Sequence, residues 1–330
     1  MSVDSEKQYV ITLYKFICLN IQNFQIFTNF IYYFSKSITN QTLKSKIIKL
    51  FVSNEKHRTT NHINQIMSKT LNWYLRRHPL LYKIRYKLVS KNSSLASIEK
   101  FCYNDLNNKT DIPSNFFETN NLIFANSRKD LNDFEKATTI AIWLKDNIKG
   151  GPGLGKSSSK ALQKMIQGEG GVCSDFSQIY SNFCVINDIK VKEWGMKSLS
   201  KDSAVSGGHS FNEVYCEEFQ KWIMIDIAKS IFFYHTNKDI PLSTLEYIQL
   251  KKEKKDIIIT AIRANNEIDH QYIENIFLIS NSLPFIITNY NNKTYDYFLE
   301  KLGFFPESII HGILILIGKG YAFEFPIEEY

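Results

Sequence analysis

The chain has 330 residues, of which 44% are apolar and 14% aromatic; that is enough for a core and excludes an intrinsically disordered chain. Its net charge of +7 is uneven: Lys44 to Lys91 carries twelve Lys or Arg against one acid, Glu55, and the remainder is mildly acidic. Five cysteines (Cys18, Cys102, Cys173, Cys184 and Cys216) are odd in number and lack metal-ligand spacing. This argues against a disulfide framework or a cysteine metal site and for free thiols in a reducing, cytoplasmic setting.

Asp4 and Glu6 stand where a secretory signal would carry positive charge. Residues 16–35 lack charge, but Asn20, Gln22, Asn23, Gln25 and Asn29 interrupt them. Five amides are costly in hydrocarbon, so an amphipathic or buried helix is expected, with peripheral membrane contact as the alternative. Residues 1–112 read as a basic, helical N-terminal region without glycine. Its Lys44–Lys91 block fits a solvated helical face, or a surface for an anionic partner such as a membrane or a polysaccharide. No nucleic-acid motif accompanies it.

Residues 104–121 are rich in Asn, Asp and Thr, with Pro113, and read as a linker or long loop. A helix is expected next, capped by Asn132 with Glu135 three residues on; Phe134, Ala137, Ala141, Leu144 and Ile148 form its apolar stripe. Residues 150–157, GGPGLGKS, match the phosphate-loop pattern, and Trp222 to Asp226 resembles its usual acidic strand. A phosphate loop must leave a buried strand, however, and the preceding segment has helical spacing. The expectation is a connecting loop that matches by chance.

A short helix at 160–167 and a glycine turn at 168–171 lead to Cys173, Phe176, Ile179, Tyr180 and Phe183 at helical spacing, so Cys173 opens a helix. Strands are expected at 189–197, 209–217 and 221–227, and a helix at 244–252 with a Ser243/Glu246 capping box. In the tail, Ile257–Ile259, Ile276–Ile279 and Phe285–Thr288 read as strands among one or two helices. The expected division is 1–112, a core at 113–255, and a mixed α/β extension at 256–330 packed on the core.

A thiol attacks a carbonyl as a thiolate. A helix N-terminus favours the thiolate and offers amides to the oxyanion that follows. His209 begins one expected strand and Asp226 ends the next, so an antiparallel hairpin makes them neighbours. Cysteine, histidine and aspartate in that setting fit a nucleophile, a base and the group that orients the base.

Three segments carry a family resemblance. They are Gly170-Gly171-Val172-Cys173-Ser174-Asp175-Phe176, Gly208-His209-Ser210-Phe211-Asn212-Glu213-Val214 and Trp222-Ile223-Met224-Ile225-Asp226. Together they resemble the conserved blocks of the transglutaminase-like superfamily. Phe211 stands where that family often has Trp, and Ile227 where it has Pro. Residues 230–248 are similar to bacterial members found with surface-polysaccharide genes. The resemblance implies an α+β, papain-like core in which the cysteine helix packs on an antiparallel sheet carrying His209 and Asp226. It implies thioester acyl transfer with no cofactor or metal and a protein or peptide substrate. Gln167 would be a side-chain oxyanion donor and Trp222 a wall of the site. Hydrolysis of an amide bond, transfer to an amine and a non-enzymatic accessory module all remain open.

Overall fold

The computed structural model describes residues 86–128, 130–198, 208–236, 238–263, 266–279, 282–305 and 307–327, all within the compact unit Thr70–Tyr330. Residues 16–35, and positions 44–85 of the basic block, lie outside the described residues. Among the described residues no helix is long and apolar enough to cross a membrane.

The chain runs β1 (Ser90–Ser94), α1 (Leu95–Lys100), α2 (Ser114–Ile123), α3 (Asp133–Asn147), α4 (Ser158–Ile166) and α5 (Cys173–Ile186). Next come β2 (Val191–Ser198), β3 (Gly208–Cys216), β4 (Lys221–Asp226), β5 (Ile231–His235), α6 (Thr244–Lys252) and β6 (Ile257–Ala261). The last described elements are α7 (His270–Ile273), β7 (Ser282–Thr288), α8 (Asn292–Lys301), α9 (Glu307–Leu316) and β8 (Ala322–Ile327). The class is α+β. The eight strands form one sheet in the order β1-β8-β7-β2-β3-β4-β5-β6, antiparallel throughout except for the parallel β1–β8 pair.

Strand alternation sends side chains to two cores. Val191, Val214, Ile223 and Ile225 face α5, whose Phe176, Ile179, Tyr180 and Phe183 are buried with them. Trp194, Met196, Phe211, Met224 and Phe233 face the other way, under Tyr247 of α6 and Phe277. Each such side chain contributes roughly 1.5–3 kcal/mol on burial. Gly195 leaves room for β7, because a Cβ there would lie 2.3 Å from the Phe285 ring.

Glu213 of β3 is a buried charge on the second face. Its carboxylate accepts hydrogen bonds from Trp194 Nε1 (3.0 Å) and from the Thr244 amide (2.7 Å), and lies 3.8 Å from Lys192 Nζ. It thereby joins β2, β3 and the start of α6 in one polar contact.

Two expectations need correction. Residues 104–121 are not a linker: they hold two 3-10 turns and α2, whose Phe116 is buried 5.1 Å from the Phe183 ring. The asparagines serve the interior. Buried Asn107 donates to the carbonyls of Tyr103 (3.1 Å) and Tyr290 (2.9 Å) and accepts from the Asn292 amide (2.6 Å). Asparagine is common in loops because it satisfies backbone groups locally, and here it does so inside the fold. The run Ile276–Ile279 is likewise not a strand, since Glu274–Leu278 forms a π-turn that buries Ile276 and Phe277. A short apolar run fits a buried helical turn as well as a strand.

Candidate active site

The start of α5 is fixed by a clasp. The Gly151 amide donates to the Gly171 carbonyl (2.9 Å), and the Gly171 amide donates to the Pro152 carbonyl (3.0 Å). Gly170, at φ +142°, is required there because a Cβ would come within 2.5 Å of the Pro152 oxygen. The Asp175 carboxylate then accepts from the amides of Val172 (2.8 Å) and Leu154 (3.4 Å), tying the loop to the first helical turn. Cys173 is the first residue of the helix, where amides have no intrahelical acceptor and the dipole favours negative charge.

The phosphate-loop match is spent on carboxylates. The loop follows α3, not a strand. At the start of α4 the Ser158 amide donates to Asp296 Oδ1 (2.6 Å), Ser158 Oγ donates to the same carboxylate, and Ser157 Oγ donates to Glu300 (3.0 Å). The position a phosphate would take is already held by negative charge.

The register Asn212↔Ile225 makes Phe211 and Asp226 neighbours, so His209 and Asp226 project from the same sheet face. Both are buried, with His209 Nε2 2.5 Å from Asp226 Oδ2. Asp226 Oδ1 accepts from the Lys229 amide (3.0 Å), so both carboxylate oxygens are engaged. The imidazole stands edge-on to Phe277, with centroids 5.5 Å apart.

Cys173 lies close enough to His209 and to the Ser210 backbone for both to act on its thiol. Burial alone pushes its thiol up. The hydrogen bond and charge of His209, together with the Ser210 amide, outweigh burial and bring it below its ordinary value. Burial alone would push His209 down, but the charge and hydrogen bond of Asp226 and the contact with Cys173 raise it. Both shifts ease passage of the Cys173 proton to the imidazole.

Two further residues stand at this place that sequence reasoning missed. The Tyr272 hydroxyl lies 2.9 Å from His209 Nδ1, and its ring is edge-on to the imidazole at 5.6 Å. Tyr272 is set by Asp269, which caps α7, and by Lys229, whose Nζ sits 3.4 Å from the tyrosine ring centre. Glu193 of β2 is 1% exposed, pairs across strands with Asn212 and faces α5. Burial, then the charges of Cys173 and Asp175, push its carboxyl up to about 8. Its one sequence signal was a charged residue between Val191 and Gly195 on one strand face.

The other two sequence candidates are placed elsewhere. Gln167 caps the C-terminus of α4 and is exposed. Trp222 stands at the opposite end of β4 from Asp226, beside Tyr215 (5.5 Å) and under Lys192 Nζ (3.9 Å). Four residues of strand separate it from Asp226, roughly 13 Å at strand rise. The structure therefore brings Cys173, His209 and Asp226 together and leaves Gln167 and Trp222 outside that contact.

Residues 121–227 match a family model described as the transglutaminase-like superfamily. A solved structure described as a "Putative Cysteine Protease" from Cytophaga hutchinsonii shares 19% identity with the chain, over 36% of this chain and 40% of that one, with a TM-score of 0.28. The match thus spans less than half the length of that protein. No curated protein matches the chain in sequence. The matched segment runs from α2 to the residue after Asp226 and holds the cysteine helix together with the histidine and aspartate strands. The chain carries a domain of the transglutaminase-like superfamily.

Proposed function

We propose that the protein is a thiol-dependent acyl-transfer enzyme that hydrolyses an amide or peptide bond in a protein or peptide substrate. Cys173 is the nucleophile, His209 the base and then the acid, and Asp226 the group that orients the imidazole. The observation that supports this best is the position of Cys173: first residue of a helix, its thiol lowered by a histidine that a buried aspartate holds.

In the proposed reaction the Cys173 proton passes to His209 Nδ1 and the thiolate attacks the carbonyl carbon. The tetrahedral oxyanion collapses, the C–N bond breaks, and the amine leaves with the proton from His209. Water, deprotonated by His209, attacks the thioester; the acid is released and the thiol restored. The Cys173 amide, at the first helical position, has no intrahelical acceptor and can donate to the oxyanion.

Iodoacetamide labelling at pH 7 tests this reading. Cys173 is expected to alkylate at least about tenfold faster than Cys102, Cys184 or Cys216, as a thiol of depressed pKa does, and His209→Ala is expected to slow it to their level. Equal labelling of all four thiols would sink the proposal. Adding a primary amine to a peptide-amide substrate then separates hydrolysis, which yields a carboxylic acid, from transfer, which yields a new amide.

A further inference from the structure

The nitrogen that must receive the thiol proton already has a partner. His209 Nε2 is held by Asp226, so the neutral ring carries its proton on Nε2 and Nδ1 is an acceptor. The Tyr272 hydroxyl, 2.9 Å away, is then the donor to Nδ1. Once Nδ1 takes the Cys173 proton it becomes a donor itself and can no longer accept from a phenol. The Tyr272 O–H is released from the ring at the moment the thiolate forms.

Resting on the thiol reading above, we infer that Tyr272 is the side-chain donor to the oxyanion formed at Cys173, its O–H turning from His209 Nδ1 to the substrate oxygen when the imidazole is protonated. No proton leaves the tyrosine in this step: one hydrogen bond breaks and another forms. Three observations converge on it. Tyr272 touches His209 through both its hydroxyl and its ring edge. Burial, then the charges of Cys173, Asp226 and Asp269, push its phenol well up, so the proton stays on oxygen across the working range. The amide side chain that the sequence offered for this role, Gln167, is exposed at the end of α4. Lys229 sits over the tyrosine ring and pairs with Asp269, whose carboxylate accepts from the Tyr272 amide.

Two reactions of the same thiol separate this role from others. Alkylation by iodoacetamide needs a thiolate but forms no oxyanion. Acylation by p-nitrophenyl acetate needs both. For Tyr272→Phe, single-turnover acylation is expected to fall about 10²-fold, the usual cost of one oxyanion donor. The alkylation rate should not fall, because the lost O–H favoured the neutral ring and not the imidazolium that accompanies the thiolate. Unchanged acylation overturns the assignment. So does a parallel fall in both reactions, which would make Tyr272 a positioning residue acting through His209. Release of p-nitrophenol that survives Cys173→Ala would overturn the thiol reading itself and the assignment with it. If circular dichroism shows that Tyr272→Phe does not fold, 3-fluorotyrosine at position 272 supplies a more acidic donor of nearly the same shape. Acylation that then changes at least twofold while alkylation holds supports the role, and no change in acylation overturns it.

Discussion

His209 Nε2 and Asp226 Oδ2 lie 2.5 Å apart with both side chains out of water, joined across the β3–β4 pair. The signs of the neighbouring shifts follow from this contact. The imidazole is raised above 6.5, so its charged form persists above that pH and is lost as pH rises through the folded value. The thiol is lowered from 9.0, so the thiolate persists below that pH. Between those two limits the pair titrates as a unit. Asp226→Asn is expected to move the acid limb of Cys173 alkylation upward and the alkaline limb of turnover downward. Turnover at pH 7 should fall about 10⁴-fold, comparable to loss of a triad's orienting acid. Alkylation and turnover profiles from pH 4 to 10 check this.

Glu193 predicts a different pH dependence, in stability. Its folded carboxyl sits at about 8 against an ordinary 4.5, so between those values the folded state holds a proton that the unfolded state has lost. Its contribution is greatest below pH 4.5, declines through that window and is flat above 8. Glu193→Gln has no such slope. Relative to the wild type, the variant should gain at least about 1.4 kcal/mol between pH 5 and pH 8, one pKa unit's worth. Urea unfolding at the two pH values measures the gain, and parallel losses in both proteins would contradict it.

The clasp in front of α5 makes Gly170 sensitive. Gly170→Ala combines a positive φ with a Cβ 2.5 Å from the Pro152 oxygen. A cost of about 1–3 kcal/mol is expected, as for other strained backbone positions. The loss should be local as well as global, with slower Cys173 alkylation even at temperatures where circular dichroism is native. Normal alkylation in a merely less stable protein would show that the clasp does not set the thiol.

Asn107→Ala tests the packed asparagines. It leaves the Tyr290 carbonyl and the Asn292 amide without this partner and removes one of the bonds to the Tyr103 carbonyl, which keeps the Leu106 and Asn107 amides. At about 1 kcal/mol per lost bond, the expected destabilisation is about 3 kcal/mol. Thermal unfolding should show it, while the alkylation rate of Cys173 in the folded protein should not change, since Asn107 lies outside the contacts of that thiol.

The parts of the fold that were legible in the chain were those with local signals. Asn132 and Glu135 form the capping box of α3, and Ser243 and Glu246 that of α6. The glycines before Cys173 marked where α5 begins. Period-two patterns placed β3 and β4, and their pairing then required His209 to meet Asp226. What was illegible depends on distant partners. Asn107 reads as loop because two of its three side-chain bonds are made to Tyr290 and Asn292, some 185 positions away. Tyr272 lies in a four-residue helix whose local pattern contains no hint of His209, 63 positions earlier. Trp222 suggested a site wall by its place in a motif, and strand rise carries it to the far end of β4.

Glu213 bears on how the chain avoids assembling wrongly. It lies on the same strand face as His209, and its buried carboxylate finds Trp194 Nε1 and the Thr244 amide only on that face. A one-residue slip of β3 would carry His209 away from Asp226, and it would also turn Glu213 toward the apolar residues of α5. There it would be an unpaired charge in a dry interior, a far larger penalty than the misplaced apolar side chains alone. The glutamate thus acts as a proofreading mark for strand alignment: only the pairing that satisfies it also brings His209 beside Asp226.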